Sequence, residues 1–279
     1  MQAARHAGAL QQLGLRPITN LKDLLLLPLA ASFATHGVGD GASTQGVPRF
    51  YKTVHVKEAL DQGGYQVMLD HRVLRTPARH PLIVPSRALA MAIAAEWEWQ
   101  VKRIQPFTMP LMSLAATALD QPKPREDVIA TMLQYLPTDT VLCRDEPGPL
   151  ADRQAKLYDP VLAWARRALG VELAPTDSIF GAQLDPGQLA AVELHLRGLD
   201  RWQLAAAEQL AACCKSVLLG LAATAQELSV EQAMAAARAE EDHQIEAWGL
   251  VEGGHDIDIA DIKVRVAAPS LFVRLLRRH

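Results

Sequence analysis

Carboxylates and imidazoles gather near the end of this 279-residue chain in a pattern with chemical potential. Glu240-x-x-His243 and Glu252-x-x-His255 each set a glutamate and a histidine three residues apart, the unit with which helical di-iron proteins bring both ligand types to one face. A shared metal pair needs those units on separate helices, with two more glutamates opposite. Here they start 12 residues apart, and on one continuous helix that spacing is about 18 Å of rise and roughly 120° of rotation, too far for one metal pair. A break at Gly249 or at Gly253-Gly254 would let the units fold together, so a helical carboxylate-bridged metalloprotein stands as the alternative reading. The same stretch carries a second pattern. Glu241, Gln244, Trp248, Glu252 and His255 follow spacings of 3, 4, 4 and 3, which make one stripe if the helix is unbroken. Such a stripe is ordinarily a solvated acidic face with its tryptophan anchored in the core. A tryptophan, a histidine and several carboxylates together also suit a recognition surface.

Other chemistry finds little footing. Lys215-Ser216 resembles the end of a phosphate-binding loop, but Ala211-Ala212-Cys213-Cys214 precedes it where glycines are needed. These residues read as helix, with the lysine at the edge of a buried face. No GxSxG elbow or GxGxxG turn occurs, so no catalytic residue, metal or cofactor is expected. Cys143, Cys213 and Cys214 are the only cysteines, with no CxxC spacing for zinc, and adjacent cysteines are poorly placed for a structural disulfide. Reduced, buried thiols in a cytosol-like or matrix-like compartment are expected. A net charge of −3 offers nothing to neutralise phosphates, and aromatics at 5 % offer little base stacking, so no nucleic-acid partner is expected.

The elements that would position these residues fall into two regimes. Residues 1–48 read as a transit peptide and flexible linker: Arg5, Arg16 and Lys22 precede the first acid, Asp23, and Gly37, Gly39, Gly41 and Gly46 follow. The run Leu24–Ala30 is too short to cross a bilayer, which takes about 20 residues, so no membrane insertion is expected. From residue 49 to 105 a small α/β domain is predicted. Phe50–Val56, Tyr65–Leu69, Val73–Thr76 and Leu82–Val84 are strand signals separated by Asp61-Gln62-Gly63-Gly64, Asp70-His71-Arg72 and prolines. Ser86 then caps a helix with Leu89, Ile93 and Trp97 on its apolar face.

From 106 to 279 a helical bundle is predicted. Its helices cover Pro110–Leu119, Arg125–Leu136, Asp152–Leu169 stopped by Gly170, Pro186–Leu199 capped by Asp185, and Arg201–Ala223 as one buried helix. Ser229-x-x-Gln232 is a capping box opening a helix to Trp248, and the tail from Asp256 is assigned as helix. The fold class is therefore α+β, an antiparallel β-containing N-terminal domain followed by helices. Trp97 and Trp248 have apolar helical neighbours and are expected in the core. Asp139 reads as a cap or turn residue, and Asp159, before Pro160, as a helix-shaping one.

The stretch Glu240-Glu241-x-x-Gln244-x-x-x-Trp248-Gly249-x-x-Glu252-x-x-His255-Asp256 resembles the assembly chaperones of the mitochondrial ATP synthase catalytic head. Arg49-Phe50-Tyr51-Lys52, Gly63-Gly64-Tyr65, Leu69-Asp70-His71-Arg72, Leu74-x-Thr76-Pro77, Val84-Pro85-Ser86 and Glu96-Trp97-x-x-Gln100 resemble that family's opening strands and first helix. Asp139-Thr140, Asp159-Pro160 and Lys215-Ser216 follow in order, with Tyr158 standing where the family would carry tryptophan. The resemblance spans residues 49 to 275 or so. It implies an orthogonal helical bundle and a matrix protein, not an enzyme, that holds the free ATP synthase F(1) alpha subunit until it pairs with beta. It also implies that Glu240 and Glu241 are functional positions. The expected partner-binding set is Glu240, Glu241, Gln244 and Glu252, with Trp97, Trp248, Asp139 and Asp159 as structural anchors. The oligomeric state is left open, with a monomer preferred.

Overall fold

The computed structural model describes residues 46–250 and 255–277. Of the chain's two units, Met1–Thr44 and Gln45–His279, every described residue belongs to the second. The expected leader, nearly all of the linker, and Glu252 lie outside the described residues.

Tyr65–Leu69 (β2) is the central strand, with Val67 fully buried. It pairs antiparallel with Val54–Glu58 (β1) from Val54↔Leu69 to Glu58↔Tyr65. Its other edge takes Arg72–Val73 (β3) at Leu69↔Arg72 and Ile83–Val84 (β4) at Tyr65↔Val84. Gly64 sits where a Cβ would lie 2.7 Å from the Val84 carbonyl oxygen, so only glycine lets the β1–β2 turn approach β4 this closely. The first strand starts four residues later than Phe50, contrary to expectation. Asp70 Oδ1 accepts the amides of Lys52 and Thr53, and residues 47–49 pair instead with 102–104.

Ten helices follow among the described residues. Arg87–Glu98 (α1) is capped by Ser86, whose Oγ accepts from Leu89 N, and buries Leu89, Ile93 and Trp97 as its spacing predicts. Pro110–Asp120 (α2) receives its cap from another helix: Glu96 accepts the amides of Leu111 and Met112, each at 2.8 Å. Arg125–Tyr135 (α3), Pro149–Leu169 (α4, stopped by Gly170 at φ 68°) and Pro186–Gly198 (α5, with an Asp185/Gln188 capping box) match the predicted segments closely.

The segment predicted as one helix from Arg201 to Ala223 is two, Arg201–Cys214 (α6) and Val217–Thr224 (α7). Lys215 turns left-handed between them at φ 54°, and Ser216 caps α7. The break lets the two helices fold back on each other so tightly that a Cβ on Gly220 would lie 2.6 Å from Ala211 N. Val230–Ala237 (α8) carries the predicted Ser229/Gln232 capping box. It does not run on to Trp248; a joint at Arg238 separates it from Ala239–Trp248 (α9). The tail is helical, as assigned, over His255–Leu276 (α10).

Two core clusters form. One joins the sheet, α1, α2 and the end of α10 through Phe272 and Val273; the other joins α3 to α9. The division expected at residue 105 runs between α1 and α2, and both helices contribute to the first cluster.

Candidate functional site

Three acids, Glu240, Glu241 and Asp242, occupy the first turn of α9, where the helix dipole favours negative charge. Each meets a different fate. Asp242 accepts from the buried Arg238 guanidinium at 3.0–3.1 Å. Glu241 accepts from Lys215 Nζ at 2.5 Å. Burial pushes the Glu241 carboxyl up, but that lysine prevails and the net direction is down. Glu240 is exposed, and among the described residues its side chain meets Gln154 Nε2 alone, at 3.5 Å.

Lys215 faces Glu241 because of the joint between α6 and α7. Its carbonyl accepts Thr140 Oγ1 at 2.8 Å. Next to it, Asp139 is 1 % exposed; its Oδ1 accepts Val141 N at 2.9 Å and its Oδ2 accepts Leu218 N, in the first turn of α7, at 3.0 Å. Asp139 is thus a turn residue and also a clamp across 79 residues of sequence. Arg144 completes the corner. It donates to the carbonyls of Val141 and Cys143 and to Asp159 Oδ1, and lies over the Tyr158 ring at 5.1 Å. Tyr158 is buried, at 1 % exposure. Burial pushes its hydroxyl far up, and the charge of Glu240 adds to that direction. Burial likewise raises the Cys143 thiol, and Asp139 and Glu240 reinforce it. Asp139-Thr140, Tyr158-Asp159, Lys215-Ser216 and Glu240-Glu241, scattered over a hundred residues, therefore converge.

Trp97 is buried as expected, with Tyr51 edge-on at 5.6 Å. Trp248 is not: it is 81 % exposed and does not anchor α9. The helix ends there, at Gly249 with φ 87°, and its buried contact is at the opposite end, through Ala239. Salt bridges tie α9 to its neighbours instead, Lys215–Glu241 and Arg153 with both oxygens of Glu246, while Arg238–Asp242 is local, at i,i+4. The end of α9 also interrupts the predicted 241–255 stripe. The exposed row is instead Glu240, Gln244 and Trp248, one turn apart each. Arg144 and Gln154 carry no sequence signal, and Lys215 stands in the Lys215-Ser216 motif without a place in the partner-binding set; distant partners give all three their roles.

Of the four proposed metal ligands, Glu252 and the His255 side chain lie outside the described residues. Among the described residues no three His, Cys, Asp or Glu side chains come together as a metal would need. Nor is any described helix long and apolar enough to cross a membrane.

Residues 48–166 match the family model described as ATP12 chaperone protein. The crystal structure of Atp12 from Paracoccus denitrificans superposes with a TM-score of 0.75 at 33 % identity, covering 83 % of this chain and 99 % of that one. The chain belongs to the ATP12 chaperone family. A mitochondrial atp12 protein of Schizosaccharomyces pombe is 28 % identical, over 91 % of this chain and 92 % of its own. The mitochondrial ATP12 protein of Saccharomyces cerevisiae is 26 % identical, over 80 % and 83 %. The α+β architecture matches that of the Atp12 structure.

Proposed function

We propose that this ATP synthase assembly chaperone of the ATP12 family binds the free F(1) alpha subunit in the mitochondrial matrix and releases it to beta, without ATP hydrolysis. The carrying observation is Glu240. It alone among the three acids of the α9 first turn has neither burial nor a cationic partner among the described residues, and it shares an exposed row with Gln244 and Trp248. An unassembled subunit exposes apolar surface meant for its neighbour, an aggregation liability. A tryptophan supplies apolar contact to such a surface, and a free carboxylate steers a basic patch into register without making release slow. Gln244 supplies both a donor and an acceptor between them. Glu241 contributes by holding the helix to Lys215. Nothing in the described residues favours the metalloprotein alternative.

The test is binding of isolated alpha subunit to Glu240→Lys. Affinity is expected to fall at least tenfold while the thermal midpoint stays within a degree or two of wild type, because the side chain is exposed. Equal affinity would refute the assignment of Glu240, and binding only to assembled ATP synthase would refute the chaperone role.

A further inference from the structure

Four large apolar side chains stand in solvent on a stretch of surface that the mechanism above does not use. Phe50 is 65 % exposed, Trp99 84 %, Val101 80 % and Phe107 80 %. Exposed apolar residues scattered singly are ordinary; these are gathered by main-chain pairing. Pro48 bridges antiparallel to Arg103, Arg49 N donates to Lys102 O at 3.0 Å, and Ile104 N donates to Val47 O at 2.8 Å. Phe50 and Val101 are the residues just beyond the paired segments, one on each side. Trp99 closes α1 two residues earlier. Phe107 lies in the short 3-10 turn Pro106–Thr108.

Polar side chains fix the backbone that carries these residues. The Arg49 guanidinium, 17 % exposed, donates to the carbonyls of Tyr51, Lys52, Glu98 and Gln100. Gln100, 5 % exposed, accepts from Gln105 N and donates to Thr108 Oγ1 and to the Glu96 carbonyl. Several of the loop's carbonyls and the Gln105 amide are thus held by side chains, while its rings face water. With the backbone held this way, only side-chain rotamers remain to be fixed when a partner covers the rings, which lowers the cost of an aromatic anchor.

The charge beside the platform is basic on balance, with the Asp70 carboxylate occupied by the amides of Lys52 and Thr53. Lys52, Lys102 and Arg103 flank Phe50 and Val101; neither lysine has an ion-pair partner among the described residues, and Glu98 is held by Arg49 at 3.4 Å. A matching partner carries apolar surface edged with carboxylates. The α9 row, by contrast, is apolar with an acidic end. Two contact surfaces of opposite sign define one orientation for a client that touches both.

We propose that the Phe50–Trp99–Val101–Phe107 platform is a second docking surface, covering an apolar, carboxylate-edged face of the free alpha subunit. This rests on the function proposed above. The test titrates the full-length protein with isolated alpha subunit and compares wild type, Trp99→Ser/Phe107→Ser and Lys52→Glu/Lys102→Glu, with the thermal midpoint and the sedimentation of each chain alone as controls. Wild type is expected to bind, and the serine variant to bind at least tenfold more weakly at an unchanged midpoint. The charge-reversed variant is expected to associate more slowly and to lose part of the salt dependence. Unchanged affinity in both variants, with wild type still binding, would overturn the platform and leave the chaperone function standing. No binding by wild type would overturn the function and the platform's occupant with it. Dimers of wild type that the serine variant abolishes, at unchanged affinity for alpha subunit, would assign the platform to a second copy of the chain and likewise overturn the proposal.

Discussion

Asp139 is 1 % exposed, and its two carboxylate oxygens accept the amides of Val141 and Leu218. Glu240 is exposed, and its nearest partner is a glutamine amide at 3.5 Å. Both are acids in short polar motifs, and both help shape the electrostatics around Tyr158 and Cys143. The difference between them is hydrogen-bond saturation. A carboxylate whose acceptors are filled by the fold has nothing left to offer a partner, and removing it strands buried donors. A carboxylate left in water can be lost by the fold at almost no cost and matters only when something docks. The comparison separates structural from interactive acids without reference to sequence position.

The largest expected effect follows from the buried member. Asp139→Ala leaves the amides of Val141 and Leu218 without partners and frees the start of α7 from the turn at 139–142. A loss of about 4 kcal/mol is expected, since each stranded buried donor costs about 1–3 kcal/mol. Urea denaturation at neutral pH measures it. A loss below about 1 kcal/mol would show that the corner does not depend on the clamp.

Asp139 also gives a pH signature that Glu240 lacks. Burial pushes its carboxyl up to about 6, against the Ser216 hydroxyl and the amides of Leu218, Val141 and Val217, which hold it down. The folded-state value lies above the ordinary carboxylate value, so folding takes up a proton between the two. The stabilisation is therefore complete below about 4 and lost as pH rises through about 6. The stability difference between wild type and Asp139→Asn should grow in favour of wild type as pH falls from 7 to 4, by up to ~3 kcal/mol. A difference that is flat across that window, in denaturation at constant ionic strength, would show that Asp139 titrates as an ordinary carboxylate.

What the sequence disclosed and what it concealed divide along the same line between local and distant causes. β2, α1 and the capping boxes at Asp185 and Ser229 were legible because each signal lies within a few residues of its effect. The break at Lys215 was not. Ala211-Ala212-Cys213-Cys214 reads as uninterrupted helix, and the turn is stabilised from afar, by Asp139 on the α7 amides and by the close approach of Gly220 to Ala211. Trp248 misled for a related reason. Its apolar neighbours suggested a core face, but α9 is ten residues long and docks through Ala239 at its other end. At the candidate site the residue types were legible and their division of labour was not. Which acid is free depends on Lys215 reaching Glu241 across 26 positions, a pairing no local pattern encodes.

That division of labour yields the smallest effect and the finest discrimination. Glu241 and Glu240 are adjacent on α9, share the same helix dipole and differ chiefly in whether Lys215 reaches them. Glu241→Gln keeps the side-chain volume and removes the charge, so it loses the ion pair but little packing. The pair is partly exposed, at 42 % for Lys215 and 38 % for Glu241, and solvent screening limits such a pair to about 0.5 kcal/mol. Glu240→Gln should lose less than that, only its share of the dipole interaction, about 0.3 kcal/mol at low salt. The order reverses for a partner: Glu240→Gln should weaken alpha-subunit binding more than Glu241→Gln, because of the two only Glu240 has no cation beside it among the described residues. A double-mutant cycle with Lys215→Met isolates the difference. Coupling is expected between 215 and 241 and none between 215 and 240, by thermal denaturation at low ionic strength. Equal coupling to both acids would mean that Lys215 moves between them in solution, and that Glu240 is held by the fold as firmly as its neighbour.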